Sequence, residues 1–149
     1  MESQIRAVMS TADMAQYLKQ VFPQLGEEFA LEHLDGTHVR MRLRVGPQHL
    51  RPGGTVSGPA MFALADLVAY VATMAPLGRE SLAVTTNCAL DFMRKPTSGA
   101  DLIAHGQLLK LGKSLAVVDV RIYSEGRAAP VARANLTYSI PPRSLAAQP

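Results

Sequence analysis

Pro52 to Gly78 is the longest stretch of this chain without a Lys, Arg or Glu, and it contains one carboxylate, Asp66, near its middle. Burying an unpaired carboxylate is costly, and an isolated one would give up its charge. Asp66 is therefore either a structural residue, facing solvent or hydrogen-bonded, or an active-site base or nucleophile. The segment just upstream, Gly53-Gly54-Thr55-Val56-Ser57-Gly58, favours the second reading. It delivers the backbone tightly to a helix start, whose free N–H groups and dipole favour developing negative charge. Gly58 can offer its N–H there, whereas Pro59 has none. A carboxylate and an amide donor of this kind suit chemistry in which negative charge develops.

Ser57 and Asp66 are nine residues apart, about 13 Å along a helix axis at 1.5 Å per residue. They cannot act on one atom from the same chain. A site that uses both ends is completed across a subunit interface, which makes a symmetric dimer the smallest working unit.

Other reactive side chains fit plainer roles. Ser57 is not flanked as Gly-x-Ser-x-Gly and reads as a helix N-cap. His33, His38, His49 and His105 show no i, i+4 pairing and have no Cys partners, so no metal site is expected. His105 alternates with apolar neighbours and reads as a sheet residue. Gly112-Lys113-Ser114 lacks the upstream Gly of a phosphate loop, because position 107 is Gln, and reads as a hairpin turn. Cys88 reads as a small core residue. Tyr70, one turn beyond Asp66, packs or bonds within the site.

The elements that position these residues follow from periodicity. Met14, Tyr17, Leu18 and Val21 predict a short amphipathic helix over Thr11 to Phe22, capped by Thr11. From Glu28 to Val45 the period changes to two, around an Asp35-Gly36 turn, predicting a hairpin whose wet face carries His38, Arg40, Arg42 and Arg44. Gly46 to Val56, broken by Pro47, Pro52 and Gly53-Gly54, is a loop. Ser57 to Ala75 is predicted as a helix buried on most sides. Strands are predicted at Leu82 to Met93, Asp101 to Leu111, Ser114 to Ser124 and Pro130 to Ile140, separated by turn signals. The order α, β, β, α, β, β, β, β favours an α+β fold, with an antiparallel sheet wrapped around one long central helix.

The chain has 149 residues, 48% of them hydrophobic, enough for one domain with one core. The tails at about 1–10 and 141–149 are expected to be loose. A net charge of +3, no Trp and dispersed basic residues do not suit a nucleic-acid partner. Pro59 and Asp66 interrupt the apolar run, so no membrane span is expected. The single cysteine and the absence of a signal-peptide pattern at Met1 to Met14 point to the cytoplasm.

Gly54-Thr55-Val56-Ser57-Gly58-Pro59, the Ala65-Asp66 pair, Val84-Thr85-Thr86 and Ala134-Asn135-Leu136-Thr137-Tyr138 together resemble the hotdog-fold acyl-CoA thioesterases. The branch they resemble is the phenylacetate-pathway one of the 4-hydroxybenzoyl-CoA thioesterase superfamily. The resemblance spans roughly Gly26 to Ile140. It implies a hotdog fold, an acyl-CoA substrate, no cofactor and a homodimer or homotetramer. It also implies that Asp66 is base or nucleophile, Gly58 the amide donor to the thioester carbonyl, and Thr85 a polar group near the attacking water. This chain departs from the family's His-Gly-Gly, having Ser57 and Pro59 in place of the His and the second Gly. Arg51 stands where a loop Asn or His often sits, and reads either as a contact for an acyl carboxylate or phosphate or as a solvated loop residue. Arg94, Lys95, Lys110 and Lys113, all at strand ends, are candidates for holding CoA phosphates. Ala60, Met61, Phe62, Ala63, Ala65 and Met93 suggest an apolar tunnel. A non-catalytic acyl-thioester binding protein and a hotdog dehydratase or hydratase are the alternatives. The second is disfavoured because Pro52 occupies the dehydratase His position.

Overall fold

The computed structural model describes residues 5–142. Helix α1 (Thr11–Val21) precedes strands β1 (Phe29–Leu34) and β2 (His38–Leu43). Helix α2 (Gly58–Leu77) follows, and then β3 (Val84–Phe92), β4 (Leu102–Leu111), β5 (Leu115–Ser124) and β6 (Ala132–Ser139). The six strands form one antiparallel sheet in the order β1-β2-β4-β5-β6-β3. This is the hotdog arrangement expected from the sequence, with α2 lying in the sheet's concave face.

The inward positions alternate along β5 and along most of β4. Leu102, Ala104, Gly106 and Leu108 of β4, and Ala116, Val118, Val120 and Ile122 of β5, are buried against α2. Gly106 sits where β4 passes under the helix, and a β-carbon there would collide with Val68 Cγ1. The missing side chain sets how closely helix and sheet approach. Along α2, Leu64, Ala65, Val68, Val71, Ala72 and Ala75 are almost wholly buried. The helix is long and apolar enough to cross a membrane, but two-thirds of it is buried in this core.

Several details differ from expectation. Ser10, not Thr11, caps α1, its Oγ accepting from the Asp13 N–H at 3.0 Å; Thr11 Oγ1 instead accepts from Leu34 N–H at 3.2 Å and ties helix to sheet. α2 continues through Pro76 to Leu77 and ends at Gly78, whose φ of 96° stops it. A proline in the last turn leaves only the Ala72 carbonyl without its helical donor, which is why the helix does not stop at Ala75. Residues 5–10 are not a loose tail, because Ile5, Ala7 and Met9 pack on the core and Val8 N–H donates to the Ala75 carbonyl at 2.8 Å. Most of the expected C-terminal tail lies outside the described residues. The β2 face is less wet than its alternation suggests. Arg42 is paired with Glu32 at 2.8 Å, Asp101 at 3.0 Å and Glu125 at 2.5 Å, a cluster that joins β1, β2 and the ends of β4 and β5.

Two features leave apolar surface uncovered. β3 is an edge strand whose outer side has no neighbour, and Val84 and Phe92 at its ends are more than half exposed. Beside it, Pro59, Phe62 and Ala63 form an exposed stripe along α2 at helical spacing, with Asp66 next along the same line.

Candidate functional site

Asp66 lies partly buried on α2 where the helix faces the inner side of β3 and β6. Two hydroxyls converge on one of its oxygens. Thr85 Oγ1 donates to Asp66 Oδ1 at 2.5 Å, and the Tyr138 hydroxyl lies 2.8 Å from the same oxygen and 3.0 Å from the Asp66 carbonyl. Among the described residues, Oδ2 accepts no hydrogen bond. The carboxylate is thus anchored through one oxygen, with the other left for a water or a substrate carbon.

The three residues meet for separate local reasons. A bulge between Thr85 and Asn87 shifts the register of β3 against β6, and Thr85 faces inward beside Asp66. Tyr138 occupies an inward position of β6 and is almost fully buried. Burial, with the Asp66 charge adding to it, raises the Tyr138 hydroxyl well above the ordinary tyrosine range, although the Thr85 hydroxyl pulls the other way. The phenol therefore keeps its proton and serves Asp66 as a donor. Tyr70 stacks on Tyr138 with centroids 6.1 Å apart and donates to the Ser81 carbonyl at 2.7 Å, which fixes one wall. Burial pushes its hydroxyl up to about 12.

These groups line a cleft of about 600 Å³, walled also by Phe62, Ala63 and Val84. Gly58 opens onto a different cleft of about 440 Å³, together with Arg51, Phe92, Arg94 and Lys95. Ser57 caps the helix here, its Oγ accepting from Ala60 N–H at 3.3 Å. Arg94 is steadied by a 2.6 Å hydrogen bond to the Pro130 carbonyl. A β-carbon on Gly58 would sit 3.2 Å from the Phe92 ring, so this position is tight as well as bare.

The structure therefore gathers the sequence candidates into two groups. Asp66 and Thr85 stand together. Gly58, Ser57, Arg51, Arg94 and Lys95 stand together at the start of the same helix. Lys110 and Lys113 line neither cleft, and because β3 and β4 run in opposite directions they lie at the margin of the sheet opposite Arg94 and Lys95. Of the expected tunnel residues, Ala65 is sealed in the core, Phe62 and Ala63 line the Asp66 cleft, and Met61 and Met93 line the Gly58 cleft. Cys88 is only half-buried on β3, its thiol raised by burial and by the Asp66 charge. His105 is exposed on the outer sheet face, edge-on to Tyr123. Tyr138, which the sequence offers only as the end of the Ala134–Tyr138 segment and without a role, has one signal as a site residue, an inward tyrosine on the last strand with a buried carboxylate elsewhere needing a donor.

The family model described as the thioesterase superfamily matches residues 53–131. A crystal structure of a candidate thioesterase from Silicibacter sp. TM1040 is 56% identical, covers 93% of this chain and 96% of its own, and superposes with a TM-score of 0.87. The E. coli PaaI protein of the phenylacetic acid degradation operon shares the fold at 22% identity and TM-score 0.70, over 88% of this chain and 96% of its own. A Streptococcus mutans protein bound to acetyl-CoA shares it at 23% identity and TM-score 0.67, over 78% and 90%. No curated protein matches the chain in sequence.

Proposed function

Since the chain belongs to the thioesterase superfamily, with thioester hydrolysis as its reaction, we propose that it hydrolyses acyl-CoA thioesters at a site shared by two copies of the chain. One copy supplies Asp66, Thr85 and Tyr138, and the other supplies the Gly58 amide. The observation that carries this reading is the single free oxygen of Asp66, held in place by two hydroxyls at the rim of an apolar cleft.

In this reading the acyl group enters the Asp66 cleft and the thioester carbonyl points at the Gly58 N–H of the other copy. Oδ2 takes a proton from a water that attacks the carbonyl carbon, or attacks that carbon itself to give an acyl anhydride that a water then hydrolyses, restoring the carboxylate. The helix start stabilises the tetrahedral oxyanion, which collapses as the C–S bond breaks, and the thiolate leaves and is protonated. Arg51, Arg94 and Lys95 beside Gly58 supply positive charge where the phosphates of the leaving CoA would rest. The free edge of β3 and the exposed Pro59, Phe62 and Ala63 stripe support the dimer, since edge strands and apolar patches of this kind are ordinarily covered. The dimer places one copy's helix start against the other's mid-helix. A second pairing of dimers would give a tetramer. The single cysteine fits a reducing cytoplasm.

Release of free thiol from a panel of acyl-CoAs tests the reaction. Turnover by the wild type, lost in Asp66→Asn, supports it. Tight binding of acyl-CoA without turnover would identify a carrier instead, and hydration of an enoyl-CoA would identify a hydratase.

A further inference from the structure

A third cavity, of about 410 Å³, lies between α1, the turn Pro23–Leu25 and strand β1. It does not contain Asp66, yet Phe22, Leu25, Phe29 and Leu67 line both this cavity and the Asp66 cleft. The two spaces are therefore neighbours on either side of one apolar partition. Beyond it the inner wall is made by Leu18, Leu31 and Met41, while Lys19, Glu27 and Arg44, all exposed, stand around its outer side. Phe22 is the most exposed part of the partition. It terminates α1, is more than a third exposed, and touches the wall of the Asp66 cleft edge-on through Tyr70, with centroids 6.4 Å apart.

We propose that this cavity is the distal half of the acyl site, so that the protein takes long-chain acyl thioesters and Phe22 and Ala15 set the limit of chain length. This rests on the hydrolase reading, and makes Asp66 the reacting end and α1 the far end of one apolar path. A methylene occupies about as much room as a water's share of liquid volume, about 30 Å³, so the distal cavity holds on the order of ten further carbons. A short acyl group fills only the Asp66 cleft. A long one displaces water from both spaces and binds in proportion to the apolar area it buries. The charged rim marks the outer limit of the apolar path, because a chain end pushed past Lys19, Glu27 and Arg44 would meet water.

Ala15 lines the distal cavity and is absent from the Asp66 cleft, so Ala15→Phe fills the far end. Phe22→Trp narrows the partition from an exposed position and serves as an independent variant should Ala15→Phe unfold. The readout is the ratio of kcat/KM for dodecanoyl-CoA to that for butanoyl-CoA, with the ratio of Kd values for the corresponding non-hydrolysable alkyl-CoA thioethers measured by calorimetry. The expected result is a wild-type preference for the long chain that falls tenfold or more in each folded variant, in both measurements. A wild-type enzyme without preference for the long chain, or a preference that neither variant changes, would overturn the tunnel while leaving hydrolysis intact. Absence of turnover with any chain would overturn the hydrolase reading, and the thioether affinities would still decide whether the long chain occupies the distal cavity.

Discussion

The two ends of α2's exposed stripe are opposites in chemistry. At the helix start, Gly58 offers a bare amide beside Arg51, Arg94 and Lys95, an open and positive place with no acid of its own. Two turns on, Asp66 sits among hydroxyls and rings, an apolar place with one anchored negative charge. A carbonyl being attacked needs both kinds of surroundings, a donor for its oxygen and a base or nucleophile at its carbon. Neither end supplies both, and the helix between them is rigid. Under the proposed reading, the separation suits two chains, each contributing the half that the other lacks.

The largest expected effect breaks the comparison at both ends. Asp66→Asn removes the charge and keeps the volume, and should lower kcat by a hundredfold or more. Gly58→Pro removes the N–H at a helix position where proline is tolerated and should cost about 10²–10³ in kcat, while Gly58→Ala, which meets the same Phe92 ring and keeps the N–H, should cost far less. Co-expressed with separate tags, the two inactive chains should form mixed dimers with one intact site of two. A random mixture would then recover about a quarter of the wild-type rate. Mixed dimers as inactive as their parents would place both halves in one chain and end the shared-site argument.

Next in size is Tyr138, which belongs to the Asp66 end only. Hydrogen bonds to charged groups are worth about 1.5–3 kcal/mol, so Tyr138→Phe should lower kcat on the order of tenfold. KM should change little, because the hydroxyl is on Asp66 and not on the substrate. Steady-state kinetics and a thermal melt measure this together. A raised KM with unchanged kcat would make Tyr138 a wall residue.

These expectations divide along a line that also separates what the sequence discloses from what it hides. Asp66 was legible because it is the one carboxylate in an apolar helix, and Gly58 because glycines and a proline mark the helix start. Both signals are local. The strands were legible from period two, and their boundaries moved by a residue or two. Tyr138 was hidden because its partner is 72 residues away and is chosen by the pairing of β6 with β3. The Arg42 cluster was hidden for the same reason, since Arg42, Glu32, Asp101 and Glu125 meet only when four strand segments align. Lys110 and Lys113 show the converse case. All four basic candidates do stand at strand ends, but strand direction sorts those ends into two margins, and direction is a property of the sheet.

That sorting sharpens the comparison at the positive end. Arg94→Ala with Lys95→Ala should raise KM for an acyl-CoA several-fold and weaken its dependence on salt, since screening acts on exposed charges at this range. Turnover of a short thioester without phosphates should not follow. Lys110→Ala with Lys113→Ala, at the other margin, should change KM less than the first pair does. If the second pair matters as much, the CoA lies across the sheet and not beside Gly58.

The smallest expected effect falls on Ser57, which touches the positive end without being part of its chemistry. Its side chain accepts from Ala60 N–H, satisfying one of the donors left over at the start of α2. Removing such a cap costs about 1 kcal/mol of stability, so Ser57→Ala should lower the melting temperature by a few degrees at this chain length. The Gly58 amide is the next donor along and depends on the backbone path set by Ser57, which has extended φ and ψ of −73° and 155°. Alanine can adopt that conformation, so the amide should stay aimed and kcat should stay within about threefold of wild type, well short of the loss expected from a missing oxyanion donor. Thermal melts and acyl-CoA kinetics on the same preparation separate the two roles. A loss of kcat as large as that of Gly58→Pro, with little change in melting temperature, would move the Ser57 hydroxyl from the cap into the reaction and make the positive end a two-donor site.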